Sequence, residues 1–231
     1  MNGTKPVIAM IKKKGTQRWK VELRDLRSFR EILGPDVVNG FCRCFVHADR
    51  LTSLISFGYL SLKHHGESSP AFSRNRQTLV WFAVGTLREL ALALRDLRTA
   101  LAKYRLLNSN SGPWITLRQF ETRWERDPFF RNMRNKVAFH VAADVIETGL
   151  TAMEGEGKII LAEGHGGKLD ESSMRLGLEA LLNGSGKTLA DFDRFMKTVS
   201  EDLGISSTIL DAFILVLRAK GLLSDDVNGS A

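Results

Sequence analysis

Arg134, Asn135 and His140 are of the right types, and close enough along the chain, to cut a phosphodiester bond. A guanidinium forks onto a phosphate and holds its charge as the bond breaks. An imidazole takes up and releases a proton near neutral pH. A carboxamide beside the Arg can orient the ring or donate to a phosphate oxygen. RNA supplies its own nucleophile, the 2′-hydroxyl, so this chemistry calls for no metal and no cofactor. Arg131 ahead of the three residues and Lys136 among them add positive charge for an RNA backbone.

Geometry limits how these groups meet. At about 100° per residue, Arg134 and His140 lie about 120° apart around a regular helix. Met133, Val137, Val141 and Val145 form an apolar stripe between them. Two copies packed along that stripe about a two-fold axis bring the Arg of one near the His of the other, which predicts a homodimer with a composite site. A purely structural role is the alternative. His140 has Asp144 one turn on, and Arg134 has Glu125 within the same stretch of chain.

The run Arg134-Asn135-Lys136-Val137-Ala138-Phe139-His140 resembles the signature of the HEPN superfamily. There an Arg, commonly followed by Asn or Asp, stands a short distance ahead of a His. The resemblance covers residues 134–140 alone. It implies an all-α helical bundle that dimerises and cleaves RNA without metal. Arg134, Asn135 and His140 would be catalytic, with Lys136 and Arg131 on the RNA. A toxin or anti-phage effector, with an antitoxin partner, is the setting this suggests. A second reading, from a different class, is a non-catalytic helical adaptor whose basic face binds nucleic acid or an acidic protein.

The elements that must position the motif read mostly as helices. Residues 1–20 are a basic arm, with Lys12, Lys13 and Lys14 before Gly15. Leu23, Leu26, Phe29 and Ile32 recur at helical spacing until Gly34-Pro35 stops them. Asp36 is placed to cap a second helix over 37–63, whose apolar set includes Val38, Phe41, Phe45, Leu51, Leu54 and Phe57. The longest pattern covers 72–107, with a stripe of Leu79, Phe82, Ala83, Leu87, Leu90, Leu94, Leu97 and Leu101. A loop over 108–113 precedes a helix at 116–126. Asp127 as cap and Pro128 at the first helical position open a helix over 128–152.

Residues 154–173 are rich in Gly, around the apolar run Lys158 to Ala162, and predict a loop or short strand pair. Helices are expected again at 174–183, 188–203 and 206–222. The resulting plan is a basic arm (1–20), a HEPN-like bundle (21–153), a Gly-rich insertion with β character (154–173) and a C-terminal helical extension packed on the bundle (174–231). Helix-on-helix packing is the natural architecture.

Charge divides the chain. Residues 1–140 hold 25 Lys and Arg against 11 Asp and Glu; residues 141–231 hold 8 against 15. A basic front suits a polyanion. The acidic rear equally suits packing against that front, or against a second subunit. Two other patterns fade on inspection. Gly184-Ser185-Gly186-Lys187-Thr188 lacks the earlier Gly of a phosphate loop, since position 181 is Leu181, and it follows a helix rather than a strand. It reads as a helix end followed by a Thr cap. Cys42, Cys44, His47, His64 and His65 lack the paired spacing of a zinc site, and a buried free thiol is the plainer reading. Two cysteines at i, i+2, no secretory leader and no long apolar run place the expected protein in a reducing cytoplasm, off the membrane.

Overall fold

Leu87, Leu90, Leu94, Leu97 and Leu101 return to one side of a helix at every turn, and all five are buried. Full burial of each such side chain stabilises a fold by about 1.5–3 kcal/mol. That stripe builds the centre of the molecule. A computed structural model of the chain describes residues 26–66, 69–133, 135, 143–155, 164–165, 168–169 and 179–222. The fold is all-α. Its helices are α1 (Leu26–Leu33), α2 (Pro35–His65), α3 (Pro70–Lys103), α4 (Gly112–Arg126), α5 (Pro128–Asn132), α6 (Ala143–Gly155), α7 (Leu189–Asp202) and α8 (Ile205–Ala219), with a further helical stretch at 179–184. Among the described residues the β-structure is one antiparallel pair, Gly164–His165 with Lys168–Leu169. It lies in the Gly-rich insertion but beyond the apolar run Lys158 to Ala162, which is outside the described residues.

Helices α2 and α3 form a long antiparallel hairpin. Three cross-links record its register: Lys103 Nζ to Asp36 Oδ2 at 3.0 Å, Arg43 Nη1 to Asp96 Oδ2 at 2.8 Å, and Asn75 Nδ2 to Ser61 Oγ at 3.0 Å. These lie at the surface and add little energy each. The buried stripes beneath them set the pairing. Helix α4 packs on α3, and α8 packs on both α2 and α4. Phe213 of α8 meets Phe41 at 4.8 Å and Phe45 at 5.2 Å between ring centres.

Local signals explain the helix ends. Gly34, not Asp36, precedes α2. It adopts φ 91°, and Pro35 follows at the first helical position. A Cβ on Gly34 would lie 2.5 Å from the Tyr104 ring, so the corner admits no side chain. Asp36 sits inside the first turn and spends its carboxylate on Lys103. Helix α3 stops at Lys103, short of the expected 107, where Arg105 turns to φ 55°. Asp127 caps α5 as expected, accepting from the Phe129 amide at 2.8 Å. Thr188 and Asp191 cap each other's ends of the first turn of α7.

Two expected core residues are not in the core. Phe57 is 61% exposed and Phe82 63%. The face of α2 that buries Phe41, Cys44, Ala48 and Leu51 continues as Ile55 and Tyr59, which are exposed. Helix α8 begins near that point: Ser206 Oγ reaches the Ala48 carbonyl at 3.3 Å. Past it, α8 has no residues left to cover α2. The described parts of the helix expected over 128–152 are α5, α6 and residues 133 and 135, which have the wider π-type winding; 134 and 136–142 lie outside the described residues. Within the acidic rear, the helical stretch 179–184 meets α6 closely. A Cβ on Gly149 would collide with the Ala180 carbonyl, and one on Gly184 with the Val145 carbonyl, so two backbones touch through two glycines.

Front and rear of the chain are joined by one buried carboxylate. Asp202, 8% exposed, accepts from Arg123 Nη1 at 2.7 and 2.8 Å and from Trp124 Nε1 at 2.7 Å. Without its carboxylate, the buried Trp124 indole would lose its acceptor and the part-buried Arg123 its ion pair. Asp202→Ala should lower unfolding free energy by roughly 2–4 kcal/mol, measured by urea denaturation. A loss under about 0.5 kcal/mol, the level of an exposed pair, would show that the joint does not hold the fold.

Candidate functional site

The motif segment is launched from a rigid base. Phe130 stacks into a buried aromatic cluster, 5.3 Å from Trp124 and 5.7 Å from Phe195 between centres. Phe129 carries two cations on its ring, Lys187 Nζ at 5.5 Å and the Arg194 guanidinium at 5.1 Å. Met133 is fully buried. These three anchors fix where residues 131–135 leave the core. π-type winding inside a helix is frequent at functional sites.

Arg131 lies in the last turn of α5 and is exposed. Asn135 is exposed and lines an open groove of about 550 Å³ between α2 and α3. Arg134, Lys136 and His140 lie outside the described residues. Glu125, the residue weighed as a partner for Arg134, carries a salt bridge to Arg95. Glu121 is similarly taken, by Arg98 at 3.0 and 2.8 Å. Both acids lie on α4, whose acidic residues face the Arg side chains of α3.

The groove brings together residues that the sequence reading did not join. His47 and Arg50 come from α2; Trp81, Phe82, Gly85, Thr86, Arg88, Glu89 and Leu92 come from α3. His47 Nδ1 is buried without a hydrogen-bond partner, and so are Nε and Nη1 of Arg88. Phe82, one of the misplaced core residues, presents an exposed ring at the same groove. Burial holds the His47 imidazole below its ordinary pKa of 6.5. Arg50 and Arg43 push the same way, and Glu89 opposes them. His47 is therefore neutral at physiological pH, able to accept a proton or a hydrogen bond.

The thiol of Cys44, one turn from His47, is pushed up to about 12, chiefly by burial. It carries no thiolate to bind a metal or attack a substrate at neutral pH. Among the described residues no group of three or more His, Cys, Asp or Glu side chains is arranged to hold a metal ion. Lys187 and Thr188 of the Gly-rich run are occupied by the Phe129 ring and by helix capping. Among the described residues no helix is long and apolar enough to cross a membrane.

None of the known family models, curated proteins or solved structures with which the chain was compared matches it.

The groove makes a pH prediction. Neutral His47 contributes stability that is present above about pH 6.5 and lost as pH falls through its depressed folded-state value. Nuclear magnetic resonance titration of His47 should give a midpoint below 6.5, moving upward in Arg50→Gln. A midpoint at or above 6.5 in the native chain would contradict the groove's electrostatics.

Proposed function

We propose that this protein is a metal-independent endoribonuclease of the HEPN type, acting as a toxin or anti-phage effector. The observation that carries the reading is the position of Asn135. Next to Arg134 in the chain, it opens onto a groove lined by two Arg side chains and a neutral His. RNA is the substrate. The 2′-oxygen attacks the neighbouring phosphorus, the bond to the 5′-oxygen breaks, and the proton of the 2′-hydroxyl is carried to the leaving oxygen. His140 moves the proton. Arg134 holds the phosphate as charge builds, and Asn135 orients one of the two. Lys136 and the exposed Arg131 steady the backbone on either side.

The protein works as a homodimer joined along Val137, Val141 and Val145, Met133 at the head of that stripe being buried in its own core, so that each site draws on both copies. An antitoxin is the expected partner in the cell. A second reading has its own support in the outer half of α2, where Phe57, Tyr59 and Leu60 are all exposed. Apolar side chains left open in that way suit a protein-binding adaptor.

Incubation of purified protein with RNA in excess EDTA separates the two. Cleavage is expected. His140→Ala and Arg134→Ala should each reduce the rate by about 10²–10⁴-fold with melting temperature nearly unchanged. Lys136→Ala should cost far less. Intact RNA after hours with the native protein would favour the adaptor.

A further inference from the structure

We propose that the groove between α2 and α3 binds one nucleotide unit of a single strand, its phosphate on Arg88 and Arg50 and its base against Phe82. This extends the ribonuclease reading and rests on it only for the strand being RNA.

Arg88 is the first argument. A guanidinium face turned into protein without an acceptor is costly, and Nε and Nη1 of Arg88 are both in that state. The nearby arginines of α3 are all served: Arg95 by Glu125 and Asp96, Arg98 by Glu121. Nε and one Nη are the pair of donors with which Arg takes two oxygens of a phosphate at once. Turned outward into the groove that Arg88 lines, the same pair would meet an oxyanion there. Arg50, exposed on the α2 side, adds a second cation. Among the described residues that line the groove, Glu89 is the one carboxylate, so two guanidinium groups outweigh it.

Phe82 is the second argument, and it is independent of the first. A ring 63% exposed to water has no stabilising role in the fold. Beside cationic groups, such a ring is the platform on which single-stranded nucleic acids stack their bases. Gly85 lies one turn further along α3, where the absence of a side chain keeps the floor open. The groove's volume of about 550 Å³ falls within the range of small-ligand sites, about 300–1,000 Å³. Glu89 is exposed there and can accept from a base amino group. His47, neutral, can hydrogen-bond to the phosphate or sugar.

A duplex keeps its bases stacked inside, so the site selects unpaired strands.

The test is fluorescence anisotropy with a labelled 2′-O-methyl oligonucleotide, which cannot be cleaved, with adenosine monophosphate as competitor. Phe82→Ser, Arg50→Gln and Arg88→Gln are compared with the native chain, melting temperatures being measured alongside. Phe82→Ser should weaken oligonucleotide binding about 5- to 100-fold, because it removes a stacked base. Arg88→Gln should weaken it about tenfold or more, and duplex RNA should bind little better to the native chain than to Phe82→Ser. Competition by the mononucleotide at millimolar concentration, with oligonucleotide at least tenfold tighter, identifies a strand rather than a free nucleotide. Phe82 and Arg50 are exposed, so those two variants keep the test valid if Arg88→Gln does not fold. Binding unchanged in both exposed variants would overturn the proposal. The outcomes separate from those of the ribonuclease reading. Binding that depends on Phe82 without RNA cleavage removes the nuclease and leaves the groove. Cleavage with binding indifferent to Phe82 and Arg50 does the reverse.

Discussion

The rest of the structure hangs on the buried carboxylate of Asp202. It takes three hydrogen bonds from two consecutive residues of α4, Arg123 and Trp124. A carboxylate in that setting is tolerable only while those donors stay in place. Asp202 ends α7, and α8 begins three residues later at Ile205. The joint thereby sets where α8 starts along α2. On its other side, α4 leads through Asp127 into α5 and the aromatic anchor Phe130. One interaction so couples the helix that covers the core to the helix that leads into the motif. It also relates the two charge blocks of the chain, since Arg123 belongs to the basic front and Asp202 to the acidic rear.

From that joint follow both the closed and the open parts of the molecule. Where α8 covers α2, the stripe from Val37 to Leu51 is buried. Beyond the start of α8, Ile55 and Tyr59 of α2 are exposed, and the groove with His47, Arg50, Phe82 and Arg88 opens between α2 and α3. Polar groups left without partners are rare in folded proteins and tend to gather where something binds. Among the described residues, those of His47 and Arg88 lie at the groove that Asn135 lines.

Much of the helical frame was legible from spacing. The Leu stripe of α3, the loop before α4, the Asp127-Pro128 start of α5 and the Thr188 cap all depend on neighbours in sequence, and the structure has them. Signals that depend on neighbours in space were not legible. Asp36 is a fitting cap by type, yet Lys103, 67 residues away, claims its carboxylate, and Gly34 makes the corner because Tyr104 fills the space. Phe57 and Phe82 fit an apolar pattern, but a pattern cannot tell where the covering helix stops. The groove is the clearest case. His47 stood in the sequence beside Cys44 and suggested, weakly, a metal. Its companions Arg50, Phe82 and Arg88 become its neighbours only through the register of the α2–α3 hairpin. A basic and an aromatic residue on an apparently core-facing helix were the available sign. For the motif itself, sequence and structure meet at Arg131, Met133 and Asn135 alone, since Arg134, Lys136 and His140 lie outside the described residues.

The central claim is that the strand's own 2′-hydroxyl does the cutting. The most direct measurement uses DNA oligonucleotides carrying a single ribonucleotide, incubated with the native protein in EDTA, with the product ends identified by mass spectrometry. If the claim holds, cleavage occurs at the bond following the ribonucleotide, and the upstream fragment ends in a 2′,3′-cyclic phosphate. The all-DNA oligonucleotide stays whole. Cleavage of the all-DNA strand, or fragments ending in a 3′-hydroxyl, would contradict it, because either product requires a nucleophile from outside the RNA.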